Sequence, residues 1–236
     1  MSLSIKITSD EDSHHPSTII RKTSSSIIYK NNEIITKKLL DDLYKNTLNR
    51  IKSLIDNPHP NICEYKSIDY MKKEIKMKYY EQDFFDMISQ KTFSRKQTYK
   101  FFKDAVKAVG HIHSLNIVHT DIKIDNFMVD NDNLILIDFE ITNGSSIYSP
   151  PENEISKKSD IWNIGIFFYA LLYCEFPFIS SNDTCAHFVN YKKTGYLSNL
   201  KNATKHEEEI IRNTLCIDMD KRWSIQALLK SIDFLE

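Results

Sequence analysis

Glycine is scarce in this chain, with 4 among 236 residues, beside 6 prolines and 4 cysteines. Such a composition excludes collagenous and linker-rich architecture. Cys63, Cys174, Cys185 and Cys216 form no C-x-x-C pair and have no histidine at metal-ligand spacing. Neither a zinc site nor a disulfide framework is expected, and the four read as buried free thiols in a reducing compartment. No sign of charge dominates: 31 Lys plus Arg stand against 32 Asp plus Glu, a formal net charge of −1. That leaves no global field for nucleic acid or an anionic membrane surface. The longest apolar stretch, 161–174, carries Asn163 and falls short of the roughly 20 residues of a membrane span. It is expected to form a buried helix. The N-terminus has no basic start followed by an apolar block, so no secretory signal is expected and a cytoplasmic or nuclear setting follows.

What is present is the material of a folded protein: 41% hydrophobic residues, 27% charged residues, 13 Phe and 12 Tyr. The length suits one or two domains of roughly 100–200 residues. Residues 1–17 are polar and rich in Ser, Asp and His, and read as a lead-in with a possible short strand at 3–7. Between 17 and 40, the pairs Ile19-Ile20, Ile27-Ile28 and Ile34-Ile35, separated by polar turns, predict three short strands, and Asn31-Asn32 suits the turn between the last two. Leu43, Leu48, Ile51 and Leu54 recur at helical spacing until Asn57-Pro58-His59-Pro60 ends the run. Strands are expected within 62–70 and 75–80. From there the period changes, and 84–88, 95–115, 161–172, 185–191, 207–214 and 225–235 read as helices, with a hairpin at 127–137. A small β-rich lobe at 18–80 and a larger helical lobe at 81–236, an α+β arrangement sharing one cleft, are predicted.

Chemistry concentrates beside the hairpin. His119-Thr120-Asp121-Ile122-Lys123-Ile124-Asp125-Asn126 precedes it and Asp138-Phe139-Glu140 ends it. Two acidic groups and an amide oxygen at the mouth of a cleft suit Mg²⁺ on a nucleotide, because that ion takes one or two carboxylates plus phosphate oxygens. The run resembles the H-R-D-x-x-x-x-N and D-F-G elements of eukaryotic-type protein kinases. Further motifs follow in the family's order: Gly144-Ser145-Ser146-Ile147-Tyr148-Ser149-Pro150-Pro151-Glu152 is similar to its G-T-x-x-Y-x-A-P-E, Asp160-Ile161-Trp162-Asn163-Ile164-Gly165 to its D-x-W-x-x-G, and Asp218-Met219-Asp220-Lys221-Arg222 to its late D-P-x-x-R.

This resemblance, over roughly residues 18–235, implies a two-lobed protein-kinase-like fold using ATP and Mg²⁺. It implies Asp121 as acceptor of the substrate hydroxyl proton, Lys123 as a cation near the transferring phosphoryl group, and Asn126 and Asp138 as metal ligands. It places adenine against the hinge at Met77, Lys78 and Tyr80, with Asp83 meeting the ribose or, alternatively, capping a helix. Glu152 with Arg222 is implied to be a buried structural ion pair, and Asp160 to cap the backbone under the catalytic loop. A lysine two places after the catalytic aspartate is the serine/threonine pattern.

Departures lie in the first lobe. Residues 21–26 fall on the family's glycine-rich loop and contain no glycine, although a Cβ restricts how closely backbone amides approach phosphate. For the lysine of the third strand, the family's small residue and its lysine share a face, so Thr36 with Lys38 fits better than Ile35 with Lys37 and Lys38 is expected to meet the phosphates. The helix glutamate that should hold this lysine is missing: Thr47 takes its place, with no acidic residue between Asp42 and Asp56. Only three residues separate Glu140 from Gly144, and Thr120 replaces the arginine that receives an activation-loop phosphate, which argues against switching by phosphorylation of that loop. Two functions remain open: a minimal serine/threonine kinase acting on a protein substrate, or a pseudokinase that serves as a binding module or decoy for a partner kinase. A small-molecule phosphotransferase fits the Pro151-Glu152 and Asp160/Trp162/Gly165 elements poorly.

Overall fold

The computed structural model describes residues 17–40, 44–90, 93–140, 146–152 and 154–236. The expected lead-in before residue 17, Leu43 and the short segment 141–145 lie outside these. The three isoleucine pairs fall on β1 (Thr18–Lys22), β2 (Ser26–Asn31) and β3 (Ile34–Leu39), and Asn32 takes the left-handed conformation (φ 52°) in the turn between the last two. The next helix, α1 (Tyr44–Asp56), buries Leu48, Ile51 and Leu54. With β4 (Tyr65–Asp69) and β5 (Glu74–Lys78) the strands form one antiparallel sheet in the order β1-β2-β3-β5-β4. The fourth strand starts later than expected because Ile62 instead bridges to Leu136, tying the two lobes together.

A two-residue strand, β6 (Gln82–Asp83), too short to show alternation in sequence, pairs with β7 (Phe127–Asp130), which in turn pairs with β8 (Asn133–Leu136). Against this hairpin pack α2 (Phe84–Gln90), α3 (Arg95–Ser114) and α4 (Lys157–Tyr173), while α5 (Ala186–Thr194) and α6 (Lys205–Thr214) lie on α4 and α7 (Ile225–Ile232) on α3. Capping boxes at Ser94/Gln97, Ser156/Ser159 and Thr204/Glu207 start α3, α4 and α6. Every residue of α4 from Ser159 to Leu171 is buried, as a helix apolar on all sides requires. Among the described residues no helix is long and apolar enough to cross a membrane. The thiol expectation holds for Cys63 and Cys185, which are buried and free, but Cys174, at the exposed end of α4, is not buried and Cys216 is only partly so.

Gly165 is where α4 meets α6. A Cβ there would lie 2.5 Å from Thr214 Oγ1 and 2.8 Å from a Leu215 methyl, so the two helices approach only because the side chain is missing. Gly165→Ala is expected to cost about 1–3 kcal/mol through overpacking. Urea unfolding measures this, and an unchanged midpoint would show that the helices separate without strain.

Candidate active site

The loop before the hairpin is held from below. Asp160, wholly buried on α4, accepts the backbone N–H groups of His119 (2.9 Å) and Thr120 (3.0 Å) and the Nε2–H of His113 (2.9 Å). This clamp keeps Thr120 at φ 79°, a left-handed conformation uncommon for a β-branched residue. His119 is locked as the neutral Nε2–H tautomer: its Nε2 donates to the Ile137 carbonyl (3.0 Å) and its Nδ1 accepts the N–H of Asp121 (3.4 Å). Burial pushes its pKa below the ordinary histidine value, against the pull of Asp160. The unfolded chain therefore binds a proton at His119 near pH 6.5 while the folded one does not, and stability falls as the pH drops through that value. Unfolding free energy measured between about pH 7 and 5 is expected to decline less steeply in His119→Gln than in the parent. Equal slopes would refute the assignment.

Three side chains of this loop lie together. Lys123 Nζ lies 2.6 Å from Asp121 Oδ2, while Asn126 Nδ2 donates to the Asp121 carbonyl (2.7 Å) and approaches its carboxylate (3.3 Å). With its amide nitrogen so engaged, Asn126 turns its oxygen away from Asp121. Phe139 is buried between Tyr65 and His119, at ring-centroid distances of 6.2 and 4.8 Å, and fixes the neighbouring Asp138. Asp138, itself left-handed at φ 64°, meets the cation of β3.

That cation is Lys37 and not Lys38. Lys37 Nζ is 2.8 Å from Asp138 Oδ1 and 2.7 Å from Glu140 Oε1. The inward face of β3 carries Ile35, Lys37 and Leu39, with Ile35 and Leu39 buried, whereas Lys38 lies on the opposite face in register with Ile27 and Glu74. The strand does alternate with a period of two, but the residue that shares the inward face with the cleft lysine is Ile35 and not Thr36. Two buried apolar neighbours flanking Lys37 were the available signal. Burial opposes the charge of Lys37, yet Asp138 and Glu140 outweigh it and raise its pKa above the ordinary lysine value. Burial likewise disfavours ionised Asp138, but Lys37, then His119 and Arg21, carry its pKa below the usual carboxylate value.

The cleft between the lobes is narrow, about 210 Å³ against the ~300–1,000 Å³ of common ligand sites. Ile28, Ile35, Met77 and Met128 line it, with Lys78 and Tyr80 of the hinge, Thr47 of α1 and Asp138. The side chain of Lys78 turns to Asp130 (2.7 Å), and the Tyr80 hydroxyl accepts the Glu64 N–H (3.0 Å). Asp83 caps α2, its Oδ1 accepting the N–H groups of Phe85 (2.7 Å) and Asp86 (3.2 Å). In the turn between β1 and β2, the Thr23 hydroxyl accepts the amides of Ser25 (3.3 Å) and Ser26 (3.0 Å), while the Thr23 amide donates to the Ser26 carbonyl (2.9 Å). A glycine loop would present such amides to phosphate; here side chain and turn take them up.

Below the loop, Arg222 and Glu152 form a two-pronged ion pair (2.6 and 2.9 Å), with Arg222 also donating to the carbonyls of Cys216 and Lys158 and stacking over Trp162 at 5.0 Å. Asn163 donates to the carbonyl of Tyr148, whose hydroxyl accepts the Ile124 N–H. The motifs named from sequence therefore form one connected support under Asp121.

Comparison with known proteins agrees. The maternal embryonic leucine zipper kinase of Danio rerio is 27% identical over 223 residues, covering 84% of this chain and 32% of that protein. A serine/threonine-protein kinase of Arabidopsis thaliana is 27% identical over 202 residues (70% of this chain, 59% of that one), and one of Caenorhabditis elegans 31% over 153 residues (56% and 18%). The chain thus spans less than two thirds of the length of each of these relatives. The profile of the protein kinase domain matches residues 18–233, nearly the whole described fold. With its sheet lobe, helical lobe and motif-built loop, the chain belongs to the protein kinase domain family.

Proposed function

We propose that this chain transfers the terminal phosphoryl group of ATP to serine or threonine hydroxyls of a protein, with weak nucleotide affinity. The observation that carries the reading is the Asp121–Lys123–Asn126 cluster, kept beside Asp138 on a clamped loop. Its own residues divide the work. Asp121 orients the incoming hydroxyl and accepts its proton, and Lys123 neutralises charge on the phosphoryl group. Asn126, through its amide oxygen, and Asp138, whose Oδ1 alone is engaged by Lys37, supply the two oxygen donors that suit Mg²⁺, which offsets phosphate charge when bound. Met77, Lys78 and Tyr80 form the wall for adenine, and Asp83 is left to reach the ribose with the oxygen that does not cap α2.

A second reading, a pseudokinase that binds a partner kinase or its substrate, draws on the Thr23-capped turn and the narrow cleft. Calorimetric titration with ATP separates the two. A kinase binds ATP more tightly with Mg²⁺ than with chelator, and Asp138→Asn removes the difference. Equal binding in both conditions, or no binding, favours the module.

A further inference from the structure

Two carboxylates, not one, converge on Lys37. Asp138 and Glu140 stand two residues apart, with the buried Phe139 between them, so both side chains face the third strand while the ring faces the core. The Lys37 side chain is 12% exposed and that of Glu140 is 16% exposed. A charge pair so far removed from water is more than a surface contact. Across the cleft, the helix that would be expected to supply this carboxylate offers the buried Thr47 instead, and no acidic residue follows on that helix before Asp56 at its end.

We propose that Glu140 is the positioning residue for Lys37: it replaces the absent helix carboxylate and holds the ammonium at the mouth of the phosphate site. The inference rests on the reading of the cleft as a nucleotide site and extends it. If Asp138 alone held Lys37, through its Oδ1, a metal ion that drew in both carboxylate oxygens would strip the lysine of its only anchor. With Glu140 as a second anchor, Asp138 is available to a cation while Lys37 stays in place. The glutamate thereby explains two departures from the family pattern together, the missing helix carboxylate and the missing glycine after Asp138-Phe139. Anchoring has also moved from a helix to the chain segment that carries the proposed metal ligand, so lysine and metal ligand are coupled through three consecutive residues.

The test compares the parent with Glu140→Gln, Thr47→Glu and the double variant. Glu140→Gln keeps size and shape, and thermal unfolding checks that the fold is retained. Calorimetry with Mg-ATP is expected to show about a tenfold loss of affinity in Glu140→Gln, as the lysine loses one of the two ion pairs that hold it. Thr47→Glu, which returns a carboxylate to the helix, is expected to recover most of that loss in the double variant. Independently of nucleotide, the chain's lysines are ¹³C-methylated and titrated by NMR, with Lys37 assigned by Lys37→Arg. Its titration midpoint is expected to fall in Glu140→Gln and to rise again in the double variant. A Lys37 midpoint unmoved by Glu140→Gln overturns the proposal, as does an affinity for Mg-ATP that is equal or tighter, which would show Glu140 repelling phosphate. If the parent protein binds no Mg-ATP, the nucleotide-site reading falls, and the NMR titration alone decides whether Glu140 holds the lysine.

Discussion

Asp121→Asn is expected to lower phosphoryl transfer by about 10²–10⁴-fold, the usual share of a positioned acid or base. The substituted amide keeps the shape of the carboxylate and one oxygen for the Lys123 contact, but it cannot take the substrate proton. Its effect on folding is small, because the loop is fixed by the Asp160 clamp and by the Asn126 bond to the Asp121 backbone carbonyl, neither of which involves the substituted carboxylate. Nucleotide binding, governed by the hinge wall and Asp138, is expected to stay within a few-fold of the parent. Radiolabelled phosphate transfer by purified protein, with Asp121→Asn beside it, reads the outcome. Signal that persists in the variant would trace the activity to a contaminating kinase and remove the support for catalysis. Transfer absent from the parent, together with a partner interaction that survives Asp121→Asn, would establish the binding module.

The second large effect is structural. Glu152→Ala leaves the Arg222 guanidinium, 1% exposed, without its counter-charge beneath the 119–126 loop. Breaking a buried pair by removing one partner typically costs about 3–5 kcal/mol. The carbonyls of Cys216 and Lys158 and the Trp162 ring still engage Arg222, so the lower end, about 3 kcal/mol, is expected. For a chain of this length that corresponds to a drop in melting temperature of roughly 10 °C. Differential scanning calorimetry measures it. A drop of no more than a degree or two would show that Arg222 is satisfied by carbonyls alone and that the ion pair is incidental. Glu152, Arg222, Trp162 and Asp160 serve structure in this fold, because their contacts are with one another and with the backbone that supports the 119–126 loop.

Legibility from sequence followed the range of the interaction. Helix periods, the isoleucine pairs of the first strands and the Asn32 turn are local, and each was readable from a few neighbours. The spacing within His119–Asn126 was likewise enough to assemble Asp121, Lys123 and Asn126, because all three lie on one short loop. The two-residue β6 was not readable, since its pairing partner, not its own residues, makes it a strand.

By itself, the sequence determined the two-lobed class and the order of the motifs, because these depend on period and spacing along the chain. The tertiary structure alone decided which of two adjacent lysines enters the cleft. A period of two states only that Lys37 and Lys38 face opposite ways, and which way is inward depends on what packs against Ile35 and Leu39. It also decided that Glu140 joins Asp138 at Lys37, a contact across about a hundred residues that local pattern does not encode, and that Thr23 takes up the amides of its own turn. Ion pairs and side-chain caps are matters of distance in space, and distance exists only once the lobes have closed on each other.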